Sequence, residues 1–373
     1  MARFSLESKG EGEYRRSASN ARRILLSWDR WLRLLEDSYR LVENPFQRSG
    51  ERRPKALARS AANGSLPRSR FWRHREEPIP PLVEIADSCS DAASSDLPSR
   101  PSAVRQVYSG PDFSVRYFIC QCGPDDPPYE EVHQETCLGA VLSGFFSYRT
   151  GRWTCALAPG AILLGNKGHA YECGHEHSRG DVSLVFVIKE SMIAAVMDCE
   201  RRPASAAEFK LPFLPAAPNL SVMIGRAQAA AAAANSLWLE EIAYTLVASA
   251  MVSGVEQVLK VSSPSARDMG RASDVIEFIE SSHTTRLTLA GLAEMAGVSP
   301  FHFLRLFRTV TGTTPYRYVV QLRLREAVTR LLRGREPITD IAFDVGFGDL
   351  SQFIRTFRAA SGLSLSAFRS MYS

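Results

Sequence analysis

Apolar residues recur twice near the C-terminus with the same helical spacing. Leu289, Leu292, Ala293 and Ala296 fall at i, i+3, i+4 and i+7, and Ile338, Ile341, Ala342 and Val345 repeat that spacing. Each run ends at a glycine, Gly297 or Gly346, where the chain can turn through positive φ. Ser299 and Asp349 then supply N-caps for a second helix in each copy, with Pro300 at a first helical position. In the first of these helices Phe303, Leu306, Phe307 and Val310 form the inward stripe, leaving Phe301, Leu304, Arg305 and Arg308 on the other side. In the second, Phe353, Phe357 and Ala360 turn inward while Ser351, Gln352, Arg355 and Arg358 face out. The offset between copies is 49 up to the glycine (297 to 346) and 50 after it (303 to 353), so one residue has entered the second turn.

A short capped helix presenting arginine and amide groups suits a DNA major groove. A single copy would fit an ordinary hairpin with solvated arginines equally well; two copies with matched arginines argue against that. Between them, residues 315–333 carry an apolar stripe through Tyr318, Val319, Leu322, Ala327, Leu331 and Leu332. A helix of that length spans about 26–28 Å at 1.5 Å per residue. It can hold two reading helices on one face of a duplex, where successive turns are about 34 Å apart.

These residues resemble the AraC/XylS transcriptional regulators. The resemblance rests on Ile338-x-x-Ile341-Ala342-x-x-x-Gly346-Phe347, Phe353-x-Arg355-x-Phe357-Arg358 and Gly362, and upstream on Gly312-Thr-Thr-Pro315-Tyr-Arg-Tyr318 and Arg323-x-x-x-Ala327. It covers residues 268–373 and implies an all-α DNA-binding domain with two helix-turn-helix motifs. It also implies base-reading positions at Phe301, Leu304, Arg305, Ser351, Gln352 and Arg355, with Ser299, Arg308 and Arg358 at the DNA backbone. Two departures stand out. Leu365 follows Gly362-Leu-Ser364 where the family usually has proline, which should change only how the last helix begins. Leu304 takes a slot often held by a polar residue, favouring apolar contact with thymine methyls.

Upstream the periodicity changes from helical to alternating. Residues 113–119, 140–148, 153–157, 161–164 and 182–188 read as short strands punctuated by Pro159-Gly160 and Lys167-Gly168. Such spacing predicts a β-barrel or sandwich over 108–220. Leu157-Ala-Pro-Gly160 through Tyr171 is loosely similar to the cupin-like sensor domain of many AraC-type regulators. The fold class is therefore α+β and multidomain. Residues 221–260 read as a helical packing and dimerisation segment, with a stripe at Leu239, Ile242, Ala243, Leu246, Val247 and Met251, and 261–267 as a linker. Residues 1–107 read as a mostly disordered extension rich in Arg, Ser, Pro and Ala, with one amphipathic helix at 22–42.

Charge follows the same division. The chain carries +5, residues 266–373 have 14 Arg, no Lys and 10 acids (+4), and residues 111–265 have 11 basic and 16 acidic groups (−5). Seven cysteines without framework spacing, no apolar signal core in residues 1–16 and no clean membrane span predict a soluble cytoplasmic protein with reduced thiols.

The expected partners are double-stranded DNA, a small-molecule effector and a second copy of the chain, with RNA polymerase a further partner implied by the family and no membrane. Tyr117, Phe146, Trp153 and Tyr171 are the aromatic candidates for an effector pocket. Cys173, His175 and His177 would share one strand face and, with His133 and His169, are the candidate metal ligands. A metal-binding cupin places its His-x-His before the Pro-Gly turn, whereas here it follows, so neither metal nor cofactor is expected. Cys120-Gln-Cys122 carries less weight still. The expected protein is a regulator of transcription, activator or repressor, rather than an enzyme. The alternatives are a metal-dependent cupin enzyme or an alkyl-acceptor DNA-repair regulator bearing the same DNA-binding module.

Overall fold

The computed structural model describes residues 102–203, 207–252 and 264–372. The helix expected at 22–42, the disorder expected through residue 101 and the first three residues of the expected linker (261–263) lie outside these residues, while Ala266 and Arg267, expected in that linker, already belong to a helix capped by Ser265.

Among the described residues, ten strands make two antiparallel sheets. They are β1 (Ser102–Ser109), β2 (Phe113–Cys120), β3 (Tyr129–Val132), β4 (Thr136–Gly144), β5 (Phe146–Thr150), β6 (Trp153–Leu157), β7 (Ile162–Gly165), β8 (Ala170–Gly174), β9 (Asp181–Ile188) and β10 (Phe213–Leu214). One sheet has the order β1-β2-β9-β4-β7-β10, the other β3-β8-β5-β6. The first strand begins at Ser102, ahead of the start expected at 108, and pairs with β2 as Arg105↔Tyr117. It is an edge strand whose Ser102, Val104, Gln106 and Ser109 are exposed, which is why its sequence looks like part of a polar tail.

Alternation along the central strands sorts side chains onto the two faces of the larger sheet. Leu138, Ala140, Leu142, Ile162 and Leu164 join a core with three helices: α1 (Glu190–Cys199), α2 (Pro218–Ala232) and α3 (Ser236–Val252). Val141, Ala161 and Leu163 point the other way, into a second core with Phe146, Tyr148 and Leu157 of the smaller sheet. The single helix expected over the alanine-rich stretch is in fact two. Ala234 takes φ 48° between them, and the Asn235 side chain accepts from the Trp238 amide at 3.1 Å to start α3.

The C-terminal region is all helical: α4 (Ala266–Ser282), α5 (Leu289–Met295), α6 (Pro300–Thr311), α7 (Pro315–Arg333), α8 (Ile338–Asp344), α9 (Leu350–Ser361) and α10 (Leu365–Tyr372). The last helix begins at Leu365, with the Ser364 hydroxyl accepting from the Ala367 amide at 3.2 Å, so the missing proline does not delay it. Tyr318, Val319 and Leu322 of α7 close one core with α4, α5 and α6, while Leu324, Ala327, Val328 and Leu331 close another with α8, α9 and α10.

Both cores extend into the β-rich region. Phe145, Ala156 and Ala158 belong to the first, and Val222 of α2 belongs to the second. Most of α2 is buried for this reason, having the larger sheet on one side and α7 on the other. The crossing is close: a Cβ on Gly225 would lie 2.8 Å from the Arg325 carbonyl oxygen and 2.9 Å from Val328 Cβ. Arg226 beside it is buried, with its guanidinium 2.9 Å from the Glu241 carboxylate and 4.1 Å from the centre of the Tyr372 ring.

Candidate nucleic-acid interface

The two short helix pairs, α5 with α6 and α8 with α9, are units built alike from local chemistry. The Ser299 hydroxyl accepts from the His302 amide at 3.3 Å, and the Asp349 carboxylate accepts from the Ser351 and Gln352 amides at 3.0 Å each. Both α6 and α9 run 12 residues and end on a left-handed glycine, Gly312 or Gly362. Both are strongly amphipathic, with Phe303, Leu306 and Phe307 buried on α6 and Phe353 and Phe357 on α9.

The residues expected to face DNA are on the outer sides. Phe301 is 73% exposed, Arg305, Arg308, Ser351, Arg355 and Arg358 are exposed, and Leu304 and Gln352 are half-buried. Ser299 is exposed but engaged as the cap. Gln352 is engaged too: its amide nitrogen donates to the Tyr316 hydroxyl at 2.6 Å, tying the start of α9 to the start of α7. Sequence spacing gave no sign of that bond, since it joins residues 36 apart.

The turns set the units against each other. Gly297 and Gly346 take φ 65° and 97°, but only at Gly346 is the space also closed: a Cβ there would meet the Thr284 carbonyl oxygen at 2.5 Å and Arg323 Nε at 2.9 Å. Arg323 donates from Nε to the His283 carbonyl at 2.6 Å and from Nη2 to the Thr285 carbonyl at 2.8 Å. It therefore pins the α4–α5 connection of the first unit against the turn of the second. The units are joined through this contact as well as through α7.

A polar cluster lies where α4 and α7 meet the β-rich region. Glu280 accepts from the Gly144 amide at 3.3 Å, and Arg325 Nη1 lies 3.5 Å from the Val141 carbonyl oxygen. Burial pushes the Glu280 carboxyl up to about 8, with the Arg325 guanidinium working against the rise. An edge of Glu280 stays open to solvent, which tempers the effect.

The expected effector residues divide. Phe146 is in the core between the sheets with Trp153 and Tyr171 packed against it, but Tyr117 lies on the opposite face of the larger sheet, among the helices. His133 joins the first group. Its ring stacks on Tyr171 at 4.1 Å between centroids, and its Nε2 hydrogen-bonds the Tyr148 hydroxyl at 2.8 Å. Burial lowers the His133 pKa to about 4, so the ring is neutral at physiological pH.

The five expected metal ligands also separate. The strand carrying Cys173 ends at Gly174, so His175 and His177 do not continue its alternation and do not share its face. Cys173 stays beside the His133 group, His169 is exposed with Glu208 3.9 Å away, and the His177 carbonyl accepts from Ser273 on α4. His175 is 3% exposed and lies instead with Cys120 and Cys122.

Comparison with known proteins agrees with this geometry. A family described as a helix-turn-helix domain matches residues 292–371. The chain is 37% identical over 84 residues to the regulatory protein SoxS of Salmonella typhimurium, covering 22% of this chain and 78% of that protein. It is 31% identical over 97 residues to the HTH-type transcriptional activator AarP of Providencia stuartii, covering 26% and 72%. Against the bifunctional transcriptional activator/DNA repair enzyme AdaA of Bacillus subtilis it is 34% identical over 97 residues, 26% of this chain, and spans only 46% of that relative's length. A solved transcriptional regulator with an AraC-type DNA-binding domain from Chromobacterium violaceum aligns at 25% identity and TM-score 0.27, covering 29% of this chain and 97% of that one. With SoxS and AarP each matched over more than two thirds of their length, this chain belongs to the AraC/XylS family of transcriptional regulators.

Proposed function

We propose that the chain is a cytoplasmic, sequence-specific DNA-binding regulator in which α6 and α9 are the reading helices of two helix-turn-helix motifs. Phe301, Leu304 and Arg305 read one major-groove segment; Ser351, Gln352 and Arg355 read the next. Arg308, Arg358 and the cap at Ser299 meet the phosphates. Arginine suits these positions because its planar fork bonds guanine and phosphate bidentately.

The observation that carries this reading is the pair of equally long, equally capped helices with exposed arginines at matching positions, held on one spine by α7 and Arg323. Footprinting of the full chain on genomic fragments that it selects is the test. Two protected major-groove segments about one turn apart support the proposal; uniform retention of random DNA without a footprint overturns it.

The β-rich region, in this proposal, is a cupin-like sensor. A small molecule bound beside Phe146, Trp153 and Tyr171 would act by favouring one arrangement of α4 and α7 on the sheets over another. A ligand shifts such an equilibrium only through different affinity for its two states. A homodimer and contact with RNA polymerase complete the proposal, and no catalytic step is assigned. Among the described residues no helix is long and apolar enough to cross a membrane.

A further inference from the structure

Three side chains outside the DNA-facing surface form a polar knot inside the β-rich region. Cys120 ends β2, Cys122 follows two residues later, and His175 follows β8; they are 4%, 4% and 3% exposed. The two sulfurs and a His175 ring nitrogen all lie within 4.8 Å of one another. In a tetrahedral zinc site with bonds of about 2.3 Å to sulfur and about 2.0 Å to nitrogen, donors lie about 3.5–3.8 Å apart. Shifts of up to about one ångström in the donor separations would close the set.

Buried cysteines alone would be ordinary small apolar residues. The histidine changes that. His175 Nε2 is 3.0 Å from Asp181 Oδ1, both groups are buried, and Asp181 Oδ2 accepts from the Ser183 hydroxyl at 3.1 Å. With both carboxylate oxygens occupied, Asp181 acts as the positioning residue that fixes the ring, the arrangement that commonly supports metal-bound imidazole. Phe146 stacks on the His175 ring at 5.8 Å between centroids.

We propose that Cys120, Cys122 and His175 bind one thiophilic metal ion, with zinc as the reference ion and a fourth position left for water or an added ligand. Two thiolates and an imidazole are a donor set for zinc or copper(I) rather than for magnesium or calcium. Loading the ion releases the two thiol protons to solvent.

The site lies under a segment that touches the DNA-binding region. Residues 175–181 leave it at His175 and return to it at Asp181. Between those ends, Ser178 donates to the Phe145 carbonyl, the His177 carbonyl accepts from Ser273 of α4 at 2.6 Å, and a Cβ on Gly270 would lie 3.2 Å from His177 Nδ1. Asp181 also pairs in register with Gly144, whose amide meets Glu280. An ion holding His175 therefore fixes one end of the loop on which α4 rests.

The test is titration of the reduced full-length protein with cobalt(II) and then zinc(II), with no DNA present, so it is independent of whether the chain binds an operator. One cobalt per chain with a thiolate charge-transfer band, displaced by zinc, is expected. Cys120→Ser with Cys122→Ser should abolish the band, while Cys173→Ser and His169→Ala should leave it intact. As misfolding could mimic the loss, His175→Cys provides a gain of signal, because a third thiolate should intensify the band. The proposal fails if folded wild-type protein takes up no ion, if the double variant still binds one, or if His175→Cys leaves the band unaltered.

Discussion

The Glu280 carboxylate on α4 accepts a hydrogen bond from the Gly144 amide at the end of β4, 3.3 Å across the junction between the helical and β-rich regions. Arg325 of α7 reaches the same strand at the Val141 carbonyl, so a carboxylate and a guanidinium from two helices are lodged against one β-strand. Charges are costly to bury and gain most when paired. Glu280 makes this junction responsive to protonation.

Glu280 gives the junction a pH dependence whose sign follows from its surroundings. Its folded value is raised to about 8, chiefly by burial and against the opposing pull of Arg325, while Glu277 adds to the rise. An unfolded glutamate titrates near about 4.3, so between the two values the folded chain holds a proton that the unfolded chain has released. Stability should therefore fall as pH rises through that window. Glu280→Gln retains an acceptor for Gly144 and cannot ionise. Thermal midpoints measured from pH 5 to 9 should fall less steeply for this variant than for wild type; parallel curves would refute the assignment.

Contact between α2 and α7 should be sensitive to a single methyl group. A Cβ at Gly225 meets a backbone carbonyl of α7, which cannot rotate away as a side-chain tip could. Gly225→Ala should cost about 1–3 kcal/mol by forcing the helices apart, despite alanine's better helix propensity. Denaturant unfolding measures the cost. A stabilised variant would show that the helices can separate freely.

Much of the helical region was legible because its signals are local. The periods beginning at Leu289 and Ile338, the caps at Ser299 and Asp349, and the turns at Gly297 and Gly346 each depend on neighbours within a turn or two. What could not be read depends on distant pairing. His175 and His177 alternate with Cys173 in sequence, but β8 stops at Gly174, whose last pairing is with Ser147 of β5, so the two histidines lie beyond the strand. Cys120 meets His175 only because β2 pairs with β9 and brings Asp181 opposite Cys120. Tyr117 left the other aromatic candidates because the larger sheet has two buried faces, and an apolar strand does not say which face meets the smaller sheet.

Tyr316 should tune what Gln352 reads. In this conformation the Gln352 amide is committed to the Tyr316 hydroxyl at 2.6 Å, whereas a glutamine reading adenine needs its amide for the base edge. Tyr316→Phe should leave stability within about 0.5 kcal/mol, since the side chain is largely exposed. Selection of binding sites from random DNA should then show a changed preference confined to the half-site facing α9. An unchanged preference would mean that Gln352 does not contact a base.

Arg305 and Arg355 occupy equivalent places on α6 and α9, each seven residues before the glycine that ends its helix, Gly312 or Gly362. Being exposed and on separate helices, they should act on separate base pairs. Arg305→Ala and Arg355→Ala should each weaken binding to a selected site by about 1–3 kcal/mol, with little loss on random DNA. Because the two side chains share no partner, the double variant should lose the sum of the single effects to within about 0.5 kcal/mol. Equal losses on selected and random DNA would reassign both arginines to phosphate contact. A double variant no weaker than either single one would mean that the two helices do not engage the same site together, and the paired-groove reading would fall with it.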